Sequence, residues 1–98
     1  SDIRFWDILI WWIRLSAVNK SINNKYYKTL IHLLRQKREE NGVTQVGLGK
    51  LIDENQNFIS KVETFERRLD VIELRALCEA MDISLIEFIT EFENKLTT

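Results

Sequence analysis

The sequence contains few of the residues that sharp turns require. Among its 98 residues there is no proline and there are only three glycines, Gly42, Gly47 and Gly49. Proteins built from many strands use glycine and proline at their turns, whereas the leucine, isoleucine, glutamate, lysine and arginine that dominate here favour helices. The composition therefore predicts a single domain with an all-α fold.

The sequence also has little of what disulfides, metal sites and catalysis need. A disulfide within the chain is excluded because Cys78 is the single cysteine, and His32 is the single histidine. We therefore expect no metal and no cofactor, and a lone thiol is typical of a reducing compartment, here the cytoplasm. The sequence has no nucleophile paired with a base and no glycine-rich phosphate loop, so we do not expect an enzyme.

Charge of either sign is close to balanced, with 14 basic and 15 acidic side chains and a net charge of −1. Taken alone, that balance argues against nucleic-acid binding, which usually relies on a basic excess. The distribution along the chain is uneven, however. Residues 20–69 carry a net charge of +4 and residues 70–98 one of −5. The middle of the chain therefore predicts a surface that attracts phosphate.

Residues 3–18 are the most apolar stretch and contain three tryptophans. Arg4, Asp7 and Arg14 recur there as a narrow polar stripe, which predicts a helix that is apolar around most of its circumference. Three charges in a run this short argue against a membrane span, and an aspartate inside the apolar run argues against a signal peptide. We assign residues 1–24 to this N-terminal helix and a short polar linker, and residues 25–98 to the main domain.

Residues 25–98 contain signals for five helices. The apolar period that starts at Lys25 ends at Asn41-Gly42, a typical helix stop. Helices over 70–81 and 84–95 each begin with a capping side chain three residues before a glutamate. Between the helix stop at Asn41-Gly42 and residue 70, two short helices are predicted over 44–52 and 56–64, with Thr44 and Asn55 as N-caps.

Two short helices separated by a three-residue turn have the spacing of a helix-turn-helix, in which the second helix lies in the major groove of DNA. Residues 26–89 in addition resemble the lambda-repressor-like, Cro/XRE-type family of bacterial and phage DNA-binding regulators. The resemblance is carried by Leu48 and Ile52 in the second helix and by five strings: Leu34-Arg35-Gln36-Lys37-Arg38, Gly42-Val43-Thr44-Gln45, Phe58-Ile59-Ser60-Lys61-Val62-Glu63, Glu66-Arg67-Arg68-Leu69-Asp70 and Leu77-Cys78-Glu79-Ala80-Met81. It implies a five-helix domain preceded here by an extra helix, and a regulator of transcription, as a repressor or autoregulator, that binds double-stranded DNA.

The resemblance also implies roles for individual residues. Gln45 is similar to the family's glutamine that anchors a phosphate and supports the first residue of the recognition helix, which here is Gln56. A glutamine amide can pair with both N6 and N7 of adenine. Asn57 and Lys61 follow on the same face as further base contacts.

Other implied roles are less direct. Ser60 is a weaker candidate because its side chain is short, and Phe58 either touches a thymine methyl or packs in the core. Candidates for phosphate contacts, which set register without reading sequence, are Thr44, Lys50, Arg67 and Arg68. The resemblance further implies a structural ion pair between Arg38 and Glu63.

The sequence departs from the family pattern at the turn and inside the second helix. Asp53 and Phe65 stand where the family usually has glycine, so we expect the loop at Phe65 to differ in shape. Gly47 and Gly49 lie inside the second helix, where each costs roughly 0.5–1 kcal/mol relative to alanine. This helix is therefore predicted to be the least stable.

The apolar N-terminal helix needs a surface on which to bury its tryptophans. Homodimerisation is our first hypothesis, and packing on the same chain or docking to another protein or a membrane surface are the alternatives. The expected interface residues are Trp6, Leu9, Trp11, Trp12 and Ile13. A two-fold dimer predicts a palindromic operator. The competing function is that of an antitoxin-type module, in which this helix and the acidic tail bind a partner protein.

Overall fold

The computed structural model describes residues 6–10 and 24–97. Residues 6–10 are helical, and the remainder of the predicted N-terminal helix lies outside the described residues. Five helices follow: α1 (Lys25–Glu40), α2 (Gln45–Leu51), α3 (Gln56–Glu63), α4 (Val71–Ala80) and α5 (Leu85–Thr97). The described ranges contain no strand, so the predicted all-α fold with five helices after residue 24 is confirmed.

Each of the five helices begins at a side chain that accepts a hydrogen bond from the first turn, as expected for N-caps. Asp70 forms the complete reciprocal arrangement, because its carboxylate accepts from the Glu73 amide at 2.7 Å while the Glu73 carboxylate accepts from the Asp70 amide at 3.0 Å. The other capping side chains belong to Asn24, Thr44, Asn55 and Ser84.

Helices α1 to α4 all end in the same backbone motif. In each, the residue after the C-cap has a positive φ, and the amide of the next residue donates to a carbonyl five positions earlier. In α2, for example, the Glu54 amide donates to the Gly49 carbonyl at 2.7 Å. The residues with positive φ are Gly42, Asp53, Phe65 and Asp82. Asp53 and Phe65 therefore adopt the left-handed conformation themselves, although a glycine would adopt it at lower cost.

One hydrophobic core joins the five helices and holds α3 against α1 and α2 against α4. Its fully buried side chains come from every helix, and the largest are Phe88, Ile31, Leu33, Leu48, Ile59 and Leu77. Cys78 is also completely buried in this core, and burial raises the pKa of its thiol to about 11. The thiol therefore contributes as a small packing group.

The turn between α2 and α3 passes very close to α2. A Cβ built on Gly49 would lie 2.9 Å from the Glu54 carbonyl oxygen and 3.1 Å from the carbonyl carbon of Asn55. Both of those neighbours are backbone atoms, which cannot move aside as a flexible side chain can. The close approach of the turn therefore explains why a glycine stands at position 49. The sequence-based interpretation, which treated Gly49 only as a loss of helix stability, was incomplete.

None of the helices in the described ranges combines the length and the apolar character needed to cross a membrane.

Candidate nucleic-acid interface

Helices α2 and α3 with their four-residue connection form the predicted helix-turn-helix. Helix α3 buries Phe58, Ile59 and Val62 on one side and exposes Gln56, Asn57 and Lys61 on the other. No acidic residue lies in the first turn of α3. Its exposed side therefore offers amide and ammonium groups, the chemistry that suits base edges and phosphates.

The end of α3 is fixed to α1 by a buried ion pair. Arg38 donates from Nε to Glu63 Oε2 at 2.7 Å and from a second nitrogen to Oε1 at 3.0 Å, and both residues are buried. A further nitrogen of Arg38 donates to the Val43 carbonyl at 2.9 Å, in the segment before α2. The hydrogen bond to Glu63 raises the pKa of the Arg38 guanidinium. One arginine thus connects α1, the start of α2 and the end of α3.

The same carboxylate orients the first glutamine of the predicted interface. Gln45 Nε2 donates to Glu63 Oε1 at 3.0 Å, which leaves the Gln45 carbonyl oxygen available as an acceptor. Gln56 Nε2 lies 3.5 Å from that oxygen. A continuous chain of polar contacts therefore runs from buried Arg38 to exposed Gln56. The Gln56 carbonyl oxygen takes no part in this chain of contacts.

The remaining predicted contact residues differ in how exposed they are. Lys50 and Arg68 are exposed, and Ser60 is half-buried. Thr44 uses its hydroxyl oxygen as the N-cap of α2 and remains exposed. These residues, like Asn57 and Lys61, stay predictions as DNA contacts.

Two predicted contact residues have clear structural partners. Phe58 is 8% exposed and belongs to the core, so the packing alternative describes it. The Arg67 guanidinium lies over the Phe58 ring, 4.4 Å from the centroid, and is paired with Glu73. Both side chains are therefore engaged within the protein.

Sequence reasoning missed the Arg67–Glu73 pair and also an ion pair between Lys37 and Glu91, whose Nζ and Oε1 are 2.8 Å apart. Neither pair has a helical spacing, because part of a loop separates Arg67 from Glu73 and three whole helices separate Lys37 from Glu91. The basic Glu-Arg-Arg string before the Asp70 capping box was the only signal near the first of them.

Part of the predicted N-terminal interface is described. Trp6 is 67% exposed, and Leu9 is also exposed. Trp11, Trp12 and Ile13 lie outside the described residues.

Comparison with known proteins agrees with this geometry. The helix-turn-helix family model HTH_3 matches residues 34–88, more than half of the chain. None of the curated protein sequences compared with the chain matches it. Among solved structures, an XRE-family like protein from Pseudomonas syringae pv. tomato is 35% identical, with 80% of this chain and 95% of that chain covered and a TM-score of 0.71.

Two further solved structures share the fold. The restriction-modification controller protein C.Esp1396I, solved as a tetramer with its natural 35 base-pair operator, is 19% identical over 76% of this chain and 99% of that chain, with a TM-score of 0.70. The clp gene regulator ClgR from C. glutamicum is 22% identical over 70% and 88%, with a TM-score of 0.63. The chain therefore belongs to the XRE-type helix-turn-helix family of DNA-binding transcription regulators.

Proposed function

We propose that this protein is a sequence-specific repressor or autoregulator that inserts α3 into the major groove of operator DNA. The observation that carries the proposal is the polar chain from Arg38 through Glu63 and Gln45 to Gln56. It fixes a glutamine at the first exposed position of α3, where a recognition helix contacts base edges. Family membership supports DNA binding as the general activity.

Gln56 is the proposed adenine contact, since its amide offers one donor and one acceptor to N7 and N6. Its neighbour Gln45 restricts the amide before DNA arrives, which lowers the entropic cost of ordering it. Asn57 and Lys61 extend the same surface, with lysine suited to guanine O6 or N7. Each good bidentate contact contributes about 1–3 kcal/mol of discrimination between bases.

Phosphate contacts on either side of α3 would set its register in the groove. We assign them to Lys50 and Arg68, which are exposed basic residues, and to the exposed Thr44 hydroxyl. A bacterial or phage regulator with these contacts acts where the DNA is, so we place the protein in the cytoplasm.

We further propose that the protein acts as a homodimer on a palindromic operator. The support comes from the N-terminal segment, where Trp6, Ile8 and Ile10 are 67%, 54% and 49% exposed, a surface that association would remove from water. A two-fold dimer would present two copies of α3 about 34 Å apart, one turn of DNA. The alternative occupant of this surface is a different protein, as in an antitoxin.

Selection of bound fragments from a random DNA pool tests the first proposal. We expect an enriched palindrome with half-sites one helical turn apart, bound with a steep salt dependence of about 0.9 log units per neutralised phosphate. No enrichment, even at low salt, would contradict sequence-specific binding.

Light scattering tests the dimer separately. We expect the full chain to be a dimer and a chain that starts at Asn24 to be a monomer. A full chain that is monomeric would overturn the dimer proposal while leaving DNA binding open to the selection experiment.

A further inference from the structure

We infer that Arg67 is a positioning residue that joins the recognition helix α3 to the start of α4, and not the phosphate contact that the sequence suggested. Its effect on operator binding rests on the proposed function of α3. Its effect on the stability of α3 does not.

Arg67 is held by both oxygens of one carboxylate. Its Nη1 and Nη2 donate to Glu73 Oε1 and Oε2 at 3.1 and 2.8 Å, and Nη1 also donates to the Arg68 carbonyl at 3.1 Å. A planar guanidinium is suited to this paired geometry, which a lysine ammonium cannot reproduce.

The carboxylate of Glu73 is also held by a hydrogen bond that does not involve Arg67. Glu73 Oε1 accepts from the Asp70 amide in the capping box of α4. Only 28% of the Glu73 side chain is exposed. The hydrogen bond from Arg67 also lowers the pKa of Glu73. Arg67 is therefore attached to the rigid first turn of α4.

The flat face of the same guanidinium covers a core residue of α3. Its Cζ lies 4.4 Å from the centroid of the Phe58 ring, which is 8% exposed. Phe58 directly follows Gln56 and Asn57 in the first turn of α3. The position of this ring therefore influences the direction in which those two exposed side chains point.

The backbone of Arg67 completes the connection, because its amide donates to the Lys61 carbonyl near the end of α3 at 3.1 Å. Arg67 thus contacts both ends of α3 and the start of α4. Because its charge is paired with Glu73, it adds little net attraction for phosphate.

Three variants separate positioning from phosphate contact: Arg67→Lys, Arg67→Met and Glu73→Gln. Glutamine is accepted at this place in a capping box, so Glu73→Gln removes the carboxylate and keeps the cap. The matched control is Glu79→Gln, which removes an equal charge from α4 in an exposed pair with Arg75. Affinity is measured by fluorescence anisotropy on the selected operator and on a random duplex at several salt concentrations.

We expect all three variants to lose about tenfold in affinity for the operator, the effect of one weakened base contact. Affinity for the random duplex and the salt slope should stay close to those of the wild-type protein, as should every property of Glu79→Gln. A phosphate contact gives the opposite pattern: Arg67→Lys is tolerated, Glu73→Gln behaves as Glu79→Gln, and Arg67→Met lowers the slope by about 0.9. That pattern would overturn the inference.

Hydrogen exchange without DNA keeps the inference testable if the wild-type protein fails to discriminate between duplexes, which would contradict the proposed function alone. We expect the α3 amides to exchange faster in Arg67→Lys and Glu73→Gln than in Glu79→Gln. Equal exchange rates in all three would overturn the positioning role.

Discussion

Glu63 accepts hydrogen bonds from two side chains, Arg38 and Gln45. A buried carboxylate is stable only because a buried cation faces it. Replacing one member of the pair leaves the other buried charge with only a longer contact to an exposed residue, Glu63 with Arg35 at 4.0 Å or Arg38 with Glu39 at 3.9 Å.

We therefore expect Arg38→Met or Glu63→Leu alone to lower the free energy of unfolding by about 3–5 kcal/mol. The double variant should lose less than either single variant, since no unpaired charge remains. Denaturant titrations of the three proteins measure this coupling. The exposed pair Arg75–Glu79 is the control, and its coupling should stay below about 1 kcal/mol. Additive losses at Arg38 and Glu63 would contradict the account.

Glu73 gives a pH dependence of known sign. Its pKa in the folded protein is lowered from 4.5, first by the hydrogen bond from Arg67. The stabilisation is therefore fully present above about 4.5 and is lost as the pH falls through the lower, folded-state pKa.

We expect the thermal midpoint of the wild-type protein to exceed that of Glu73→Gln at pH 7, and the difference to shrink as the pH is lowered below about 4.5. Calorimetry of both proteins across this range measures it. A difference that grows in acid would show that the carboxylate does not stabilise the fold as a charged group.

Some side-chain contacts could be predicted from the sequence and others could not. The Arg38–Glu63 contact was expected because the family resemblance covers both positions. The Arg67–Glu73 contact was not, because its partners are six residues apart across a loop and follow no helical period. Arg67 and Arg68 were assigned to phosphate contacts because they lie near the predicted recognition helix and the sequence does not show Glu73 as the partner of Arg67.

At the scale of helices, the starts were easier to predict than the ends. N-capping depends on local side chains such as Thr44 and Asn55, which are visible in sequence. Helix ends here depend on positive φ at four positions. Only one of these positions, Gly42, is occupied by glycine, the residue type that predicts positive φ from sequence. At Asp53 and Phe65, backbone hydrogen bonds and packing outweigh a left-handed cost of about 1–2 kcal/mol.

Helix α2 contains two glycines with different structural surroundings. A Cβ at Gly49 would meet backbone atoms of the turn, whereas a Cβ at Gly47 would lie 3.1 Å from the Thr44 hydroxyl oxygen, the end of a side chain. Alanine favours helix over glycine by roughly 0.5–1 kcal/mol.

We expect Gly49→Ala to destabilise the protein by about 1–3 kcal/mol, because the turn must move away. Gly47→Ala should change stability by less than about 1 kcal/mol, since the helix preference offsets the tighter contact. Chemical denaturation of the two variants gives the comparison. A stabilising Gly49→Ala would mean that the turn does not need this close approach.

At the scale of the whole molecule, the composition alone gave a misleading picture of function. A net charge of −1 suggests no attraction for DNA, yet the net negative charge lies at residues 70–98, where seven acidic side chains accompany two basic ones. One of them, Glu91 of α5, is paired with Lys37 of α1. The order of the helices then keeps much of the acidic excess on α4 and α5, while α2 and α3 present few acidic groups.

The fold followed from sequence because capping residues, apolar period and family strings all agreed. The connections between helices did not, since they depend on distances that only packing establishes. The order and type of every helix after residue 24 were predicted. The resemblance also implied the Arg38–Glu63 pair and a supporting role of Gln45 for Gln56, whereas the hydrogen bond from Gln45 to Glu63 that joins them was not visible in the sequence.

The most direct test of the account is the affinity of the Gln56→Ala, Lys61→Ala double variant for the operator selected by the wild-type protein. Both side chains are exposed, so we expect the same unfolding free energy within about 0.5 kcal/mol. We expect operator affinity to fall by about a hundredfold or more, from the loss of two base contacts. Random-duplex affinity should fall far less. Operator binding equal to that of the wild-type protein would show that α3 does not read the DNA sequence.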